Sequence, residues 1–323
     1  MTEPITLEEA LRRYLLVDRA DQTKQTYRRF LTEFVAAIGP QRPISLVRPE
    51  DIDAYVTAMR TRTTKYATHT RRPAVQAPLA PATIYKNVKM IKSFFRWCER
   101  SGLIDASPAG YLVNRRPALP LGQGKAATDD ELEMLLAASR FKPRDRALVL
   151  LLANSGCRAG EAAGLRIRDL ELDNCSALVN GKGNRRRRIY FNAETADAIR
   201  AWLEARPDKP TDYVFTPWRG SARLSPRAIS EVIRRLCKTA GLSRRLGAHS
   251  LRHRVGLKFA REHVAPRITQ HYLGHTSITT TLEYYQDVDE TDLRQAGALL
   301  DLHYWQPQQI KQNPAAKHQL GAG

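Results

Sequence analysis

Residues 114–127 divide the chain. They include Pro117, Pro120, Gly122 and Gly124 and show no apolar periodicity, the character of a linker and not of a helix or strand. Before this stretch, apolar residues recur at helical spacing in four segments. Thr6-Leu7-Glu8-Glu9 reads as a capping box opening a helix through Val17, with Leu7, Leu11, Tyr14 and Leu15 as its stripe. A second helix runs from Thr23 to just before Gly39-Pro40 and places Tyr27, Phe30, Leu31, Phe34 and Val35 on one face. Pro49-Glu50-Asp51 supplies the proline and the acids of a third helix's first turn. The fourth spans residues 81–100, buries Ile84, Val88, Ile91, Phe94 and Phe95, and is followed by the C-cap glycine Gly102. Between the third and fourth helices, residues 61–80 are basic, proline-bearing and unpatterned, with Arg62, Lys65, His69, Arg71 and Arg72. They read either as a solvated loop or as one that lies against phosphates.

After the linker, Thr128-Asp129-Asp130-Glu131 is a second capping box. Helices are expected over 144–155 and 161–165, and strands over 175–180 and 186–191 around the turn-rich Gly181-Lys182-Gly183-Asn184. Further helices are expected over 193–205, 226–240, 249–261, 277–285 and 290–300. The fold class is therefore mainly α with a small β-sheet: a four-helix domain over 1–113, a linker over 114–127 and an α+β domain over 128–305. The polar tail 306–323 is expected to be flexible, or ordered only against a neighbour.

Charge narrows the class of partner. Lys and Arg number 52 against 33 acidic side chains in 323 residues, a formal +19. Residues 1–125 carry 21 basic and 11 acidic side chains and the remainder 31 and 22, so both domains could face a phosphate backbone. Cys98, Cys157, Cys175 and Cys237 contain no C-x-x-C pair, which argues against a zinc site or a disulfide framework. No apolar run approaches the roughly 18 to 20 residues of a membrane span. Met1-Thr2-Glu3-Pro4 does not open a signal peptide, so a cytoplasmic, nucleoid-associated protein is expected, with no membrane partner.

Three boxes carry the chemistry. Asn154-Ser155-Gly156-Cys157-Arg158-Ala159-Gly160-Glu161 sets an arginine on a turn after an apolar helix, and a guanidinium fork suits two phosphate oxygens. His249-Ser250-Leu251-Arg252-His253 holds H-x-x-R, whose ends share a helical face and could meet one phosphate. The third box runs from Leu273-Gly274-His275 to Thr280-Thr281-Leu282-Glu283-Tyr284. Breaking a phosphodiester needs a nucleophile, charge stabilisation on the phosphoryl oxygens and a proton for the leaving oxygen. No clear carboxylate cluster of the metal-enzyme kind is present, so side-chain cations would supply the charge.

Together the boxes resemble the active site of the tyrosine recombinase, or phage integrase, family in its small Xer-like branch. The resemblance implies that Arg158, Lys182, Arg252 and His275 act on the scissile phosphate, that His249 donates to a non-bridging oxygen or helps move the tyrosine's proton, and that Tyr284 attacks, with Glu161 orienting Arg158. Ser155 stands where the family usually has threonine, a change expected to be tolerated because the hydroxyl remains. Lys182, on its hairpin, matches the lysine that protonates the leaving 5′ oxygen in the family. Tyr285 is the alternative nucleophile; His253 and Arg254 are read as supporting or DNA-facing, and compete for the site if the register shifts. Candidate DNA-facing side chains are Arg62, Lys65, Arg71, Arg72, Lys86, Lys89, Arg185, Arg186 and Arg187. The N-terminal helices resemble the family's DNA-clamping domain.

The implied activity is site-specific recombination through a 3′-phosphotyrosyl link and a four-way junction, without metal, ATP or other cofactor. The implied partners are double-stranded DNA carrying recombination sites, a homo- or mixed tetramer on two duplexes, and an accessory DNA-bending or partner recombinase protein. Residues 290–305, with Leu293, Leu299, Leu300, Leu302 and Trp305, would dock into a neighbour or pack on their own subunit. A type IB topoisomerase and a non-catalytic DNA-binding regulator are the competing readings.

Overall fold

The structure, a computed structural model, describes residues 4–18, 21–65, 73–115, 117, 126–181, 185–208, 210–218, 223–285 and 294. It separates into two compact units, Met1–Leu119 and Pro120–Gly323.

In the first unit, α1 (Leu7–Leu16), α2 (Asp21–Ile38), α3 (Pro49–Thr61) and α4 (Pro81–Arg100) surround one core. Thr6 caps α1 by accepting from the Glu9 N–H, but only half of the expected capping box forms. The Glu9 carboxylate turns instead to Arg12 and Arg13 at 2.7 and 2.8 Å. Tyr14, Phe34, Phe94 and Phe95 are fully buried, each contributing about 1.5–3 kcal/mol by leaving water. Edge-to-face contacts of 5.1–5.9 Å link Tyr14 to Phe94, and Phe34 to Tyr55 and Phe95. The segment read as patternless contains a short antiparallel ladder, β1 (Thr64–Lys65) with β2 (Val75–Gln76). Strands this brief leave no periodicity to detect. The end of this unit is tied to α4: Asn114 donates to the Tyr85 carbonyl and Lys92 to that of Leu112.

In the second unit, α5 (Asp129–Ser139) opens on Thr128 with both halves of its capping box made. Next comes α6 (Pro143–Ser155), buried on all sides and so the axis of the unit. The short α7 (Ala159–Ala163) leads into an antiparallel sheet of β3 (Leu170–Glu171), β4 (Ser176–Asn180) and β5 (Arg186–Tyr190), in that order. The register pairs Asn180 with Arg186 at the loop end of the hairpin. Then follow α8 (Ala193–Ala205), α9 (Pro226–Thr239), α10 (Ala248–Arg261), α11 (Pro266–Leu273) and α12 (Ile278–Leu282).

Two of these depart from the sequence reading. The helix α11 was not anticipated, although Pro266 at its first turn and Gly274 beyond its end are its start and stop signals. Its eight residues bury only Thr269 and Leu273, too little to show a stripe. The helix expected over 277–285 stops at Leu282, and single turns carry Tyr284 and Tyr285 beyond it.

No helix among the described residues is long and apolar enough to cross a membrane. Residues 290–293, 295–305 and the tail 306–323 lie outside the described residues.

Candidate active site

Two glycines end two helices in the left-handed region and bring the boxes together. Gly156 (φ 59°) closes α6 and Gly274 (φ 67°) closes α11. They also meet neighbours closely. A Cβ on Gly156 would come within 2.6 Å of the Leu273 side chain, and one on Gly274 within 2.6 Å of Arg187 Cδ. Ser155, at the family's threonine position, donates to the Leu151 carbonyl at 2.6 Å and accepts from the Cys157 N–H at 3.2 Å. The hydroxyl alone makes both bonds.

Arg158 starts α7. Its guanidinium donates to Glu161 Oε1 at 3.0 Å and to the Gly274 carbonyl at 2.9 Å, while its side chain remains 39% exposed. Glu161 is buried and reaches back to the Arg158 N–H at 2.8 Å. Arg187 completes this group. It donates through Nε and Nη2 to Glu161 at 3.3 and 2.8 Å and through Nη1 to the Tyr272 carbonyl at 2.8 Å.

Arg187 turns inward and ties β5 to α7 and α11. The signal was present in the strand period of two, which sets Arg187 on the same face as the buried Ile189. Arg254, read as supporting or DNA-facing, pairs with Asp129. Arg186 is exposed but bonded to Asp169 at 2.7 Å, and Arg62 meets Glu33 at 2.6 Å. Lys86, Lys89 and Arg185 are exposed. His69, Arg71, Arg72, Lys182 and the Lys65 side chain lie outside the described residues.

Burial alone would raise the Glu161 carboxyl; the hydrogen bonds and charge of Arg187, with the N–H and charge of Arg158, outweigh it and lower it. A carboxylate lowered on folding adds stability above its unfolded value of about 4.3, and that stability is lost as pH falls through the folded value. Glu161→Gln is therefore expected to cost on the order of 3 kcal/mol at neutral pH. In melts from pH 7 to 3, the gap between the two proteins should close on the acid side. A gap independent of pH would show that the charge contributes nothing.

Arg252, on α10, is 2% exposed. Its guanidinium donates to the Gly156 carbonyl at 2.6 Å and the Leu273 carbonyl at 2.7 Å, the ends of α6 and α11. Desolvation, with the nearby Arg158 and Arg187 charges, brings it down to about 10, still protonated at neutral pH. His249, one turn earlier, is exposed, so the two ends of H-x-x-R differ in depth.

Tyr284 is 8% exposed. Its ring lies flush on α10 at Gly256, where a Cβ would come within 2.6 Å of Cζ. The His275 ring lies nearly parallel to it at 6.2 Å and 18°. His275 Nδ1 is engaged with Thr281 Oγ1 at 2.8 Å. Burial, then the Arg252, Arg158 and Arg187 charges, push His275 down to about 4, so its ring is neutral at physiological pH. The Tyr284 hydroxyl meets His253 Nδ1 at 3.0 Å. Burial raises this phenol, against the charge of Arg252. Tyr285 is turned away: its hydroxyl donates to the Val264 carbonyl and meets Thr269 Oγ1.

The structure thus gathers Arg158, Glu161, Arg187, Arg252, His275 and Tyr284 into one group. Among the described residues, no three His, Cys, Asp or Glu side chains are placed to hold a metal ion.

Residues 125–291, half of the chain, match the phage integrase family. The chain belongs to that family. It is similar to the tyrosine recombinase XerC of Xanthomonas campestris pv. campestris (strain B100), 32% identical over 209 residues, or 64% of each chain. It therefore spans just under two thirds of that relative's length. Against the tyrosine recombinase XerC of Xanthomonas axonopodis pv. citri (strain 306), 30% identity extends over 84% of this chain and 88% of the other. The fold of this integrase-family chain is similar to that of the Tn1549 transposon integrase in complex with transposon right end DNA. The TM-score is 0.73 at 18% identity, over 92% of this chain and 100% of that one.

Proposed function

We propose that the protein is a site-specific DNA recombinase working without metal or ATP. The observation that carries this reading is the convergence of two arginines from different boxes beside a buried tyrosine hydroxyl. Arg158 and Arg252 hold the scissile phosphate and offset the charge of its transition state. His249 and His275 add hydrogen bonds to the phosphate, and Lys182 protonates the leaving 5′ oxygen. Tyr284 attacks, forming a 3′-phosphotyrosyl bond that conserves the energy of the broken phosphodiester. A 5′ hydroxyl from a second duplex then attacks that bond. Two such rounds pass through a four-way junction, so the working complex is a tetramer, of one or two kinds of subunit, on two duplexes. The N-terminal unit clamps DNA, and residues 290–305 join neighbouring subunits. The biological setting is integration, transposition or dimer resolution in the cytoplasm, with or without an accessory protein.

The test is covalent capture. A duplex drawn from DNA flanking the gene, nicked near the cleavage point, is incubated with the protein in EDTA. A protein–DNA band that survives denaturant is the expected result. Relaxation of an unrelated supercoiled plasmid without such a band would replace this reading with a topoisomerase, and DNA binding alone would replace it with a regulator.

A further inference from the structure

One contact in the site has no place in the roles above. We propose that His253 is the base that takes the phenolic proton of Tyr284 as the tyrosine attacks, an inference that rests on the recombinase reading. His253 Nδ1 lies 3.0 Å from the Tyr284 hydroxyl, and the two rings meet at 67° with centroids 5.6 Å apart. The imidazole edge thus addresses the hydroxyl, the geometry of proton transfer. Gly256 and His275 flank the phenol ring, which holds that hydroxyl in place.

His275 is not so placed. It lies nearly parallel to the phenol ring, and its Nδ1 is engaged with Thr281. The exposed His249 meets His253 edge-on at 4.4 Å, on the side from which a proton can pass to water. A buried phenol with a raised pKa keeps its proton at neutral pH, so attack needs an acceptor in contact with it.

The step balances. The Tyr284 oxygen bonds to phosphorus as the bond to the 5′ oxygen breaks. The phenolic proton passes to Nδ1 of neutral His253, giving imidazolium, and the leaving oxygen takes its proton from Lys182. In the second step the incoming 5′ hydroxyl bonds to phosphorus and gives its proton to the neutral Lys182 amine, while the imidazolium returns its proton to Tyr284 as that oxygen leaves. The charged and titratable groups around the pair are His249 and Arg252 on α10, His275 after α11, Glu283 after α12, Arg158 and Arg187.

The experiment measures single-turnover capture by the full chain on the nicked duplex above. The scissile phosphate carries either the normal 5′ oxygen or a bridging 5′ sulfur, which leaves without a proton. Expected for His253→Ala is a loss of about 100-fold or more on both duplexes. The wild-type fall in rate at acid pH should vanish in this variant, and added imidazole should restore turnover. His253→Gln, which retains a hydrogen-bonding partner for the phenol but no basic nitrogen, should be equally slow, and carries the test if the alanine variant fails to fold. Capture by His253→Gln at the wild-type rate would overturn the assignment. So would a His253→Ala defect cured by the sulfur leaving group, or one unmoved by imidazole with the acid limb intact. No adduct from the wild type would instead remove the recombinase reading itself, and this one with it.

Discussion

Tyr284→Phe is expected to abolish covalent capture of DNA while leaving the fold and DNA binding in place. The change removes one oxygen. The ring keeps its seat on Gly256 and beside His275, and the loss is a single hydrogen bond to His253, about 1 kcal/mol. No other hydroxyl in the group is positioned to substitute. Tyr285, one residue on, bonds to Val264 and Thr269, so Tyr285→Phe should lower the melting temperature slightly and preserve capture. The measurement is the denaturant-resistant band on the nicked duplex, with binding followed by gel shift. A band from Tyr284→Phe protein that disappears in the double variant would transfer the nucleophile to Tyr285.

Arg252→Ala should be more damaging than its single charge suggests, because the side chain works in two ways. It joins the carbonyl ends of α6 and α11, so its removal leaves the Gly156 and Leu273 carbonyls buried without this donor and opens a cavity. A loss of about 3–5 kcal/mol in stability is expected. It also removes a phosphate clamp, worth about a hundredfold or more in cleavage rate. Arg252→Lys separates the two: it restores a charge but cannot span both carbonyls at once. That variant should melt nearer the wild type yet cleave slowly. Wild-type cleavage by Arg252→Lys would mean that a point charge suffices and that the fork is structural.

The helices were legible wherever a cap and an apolar stripe coincided. Thr128 with Glu131 marked α5, and Pro49 and Pro81 marked α3 and α4. Where apolar content fell away, as in α11, Pro266 and Gly274 stood without a stripe between them and the helix was missed. The residues of the site were legible as motifs because they share chemistry; apart from Glu161 beside Arg158, their partners were not. That Arg252 rests on two carbonyls, or that His253 meets Tyr284, depends on turns at Gly156 and Gly274 that join segments far apart in the chain. Arg187 was hidden differently: within a run of four arginines its charge drew attention from its strand face, which Ile189 shares.

The arginines at the helix ends are held largely by neutral acceptors. Arg252 bonds to carbonyls alone, and Arg158 and Arg187 share one carboxylate. Backbone oxygens fix a guanidinium in position without cancelling its charge. Burial first, and then repulsion from Arg158 and Arg187, lowers the pKa of Arg252, so the free protein carries some internal repulsion. An anion between these side chains would relieve it, so the residues that join the helix ends in the free protein would hold them more firmly on DNA.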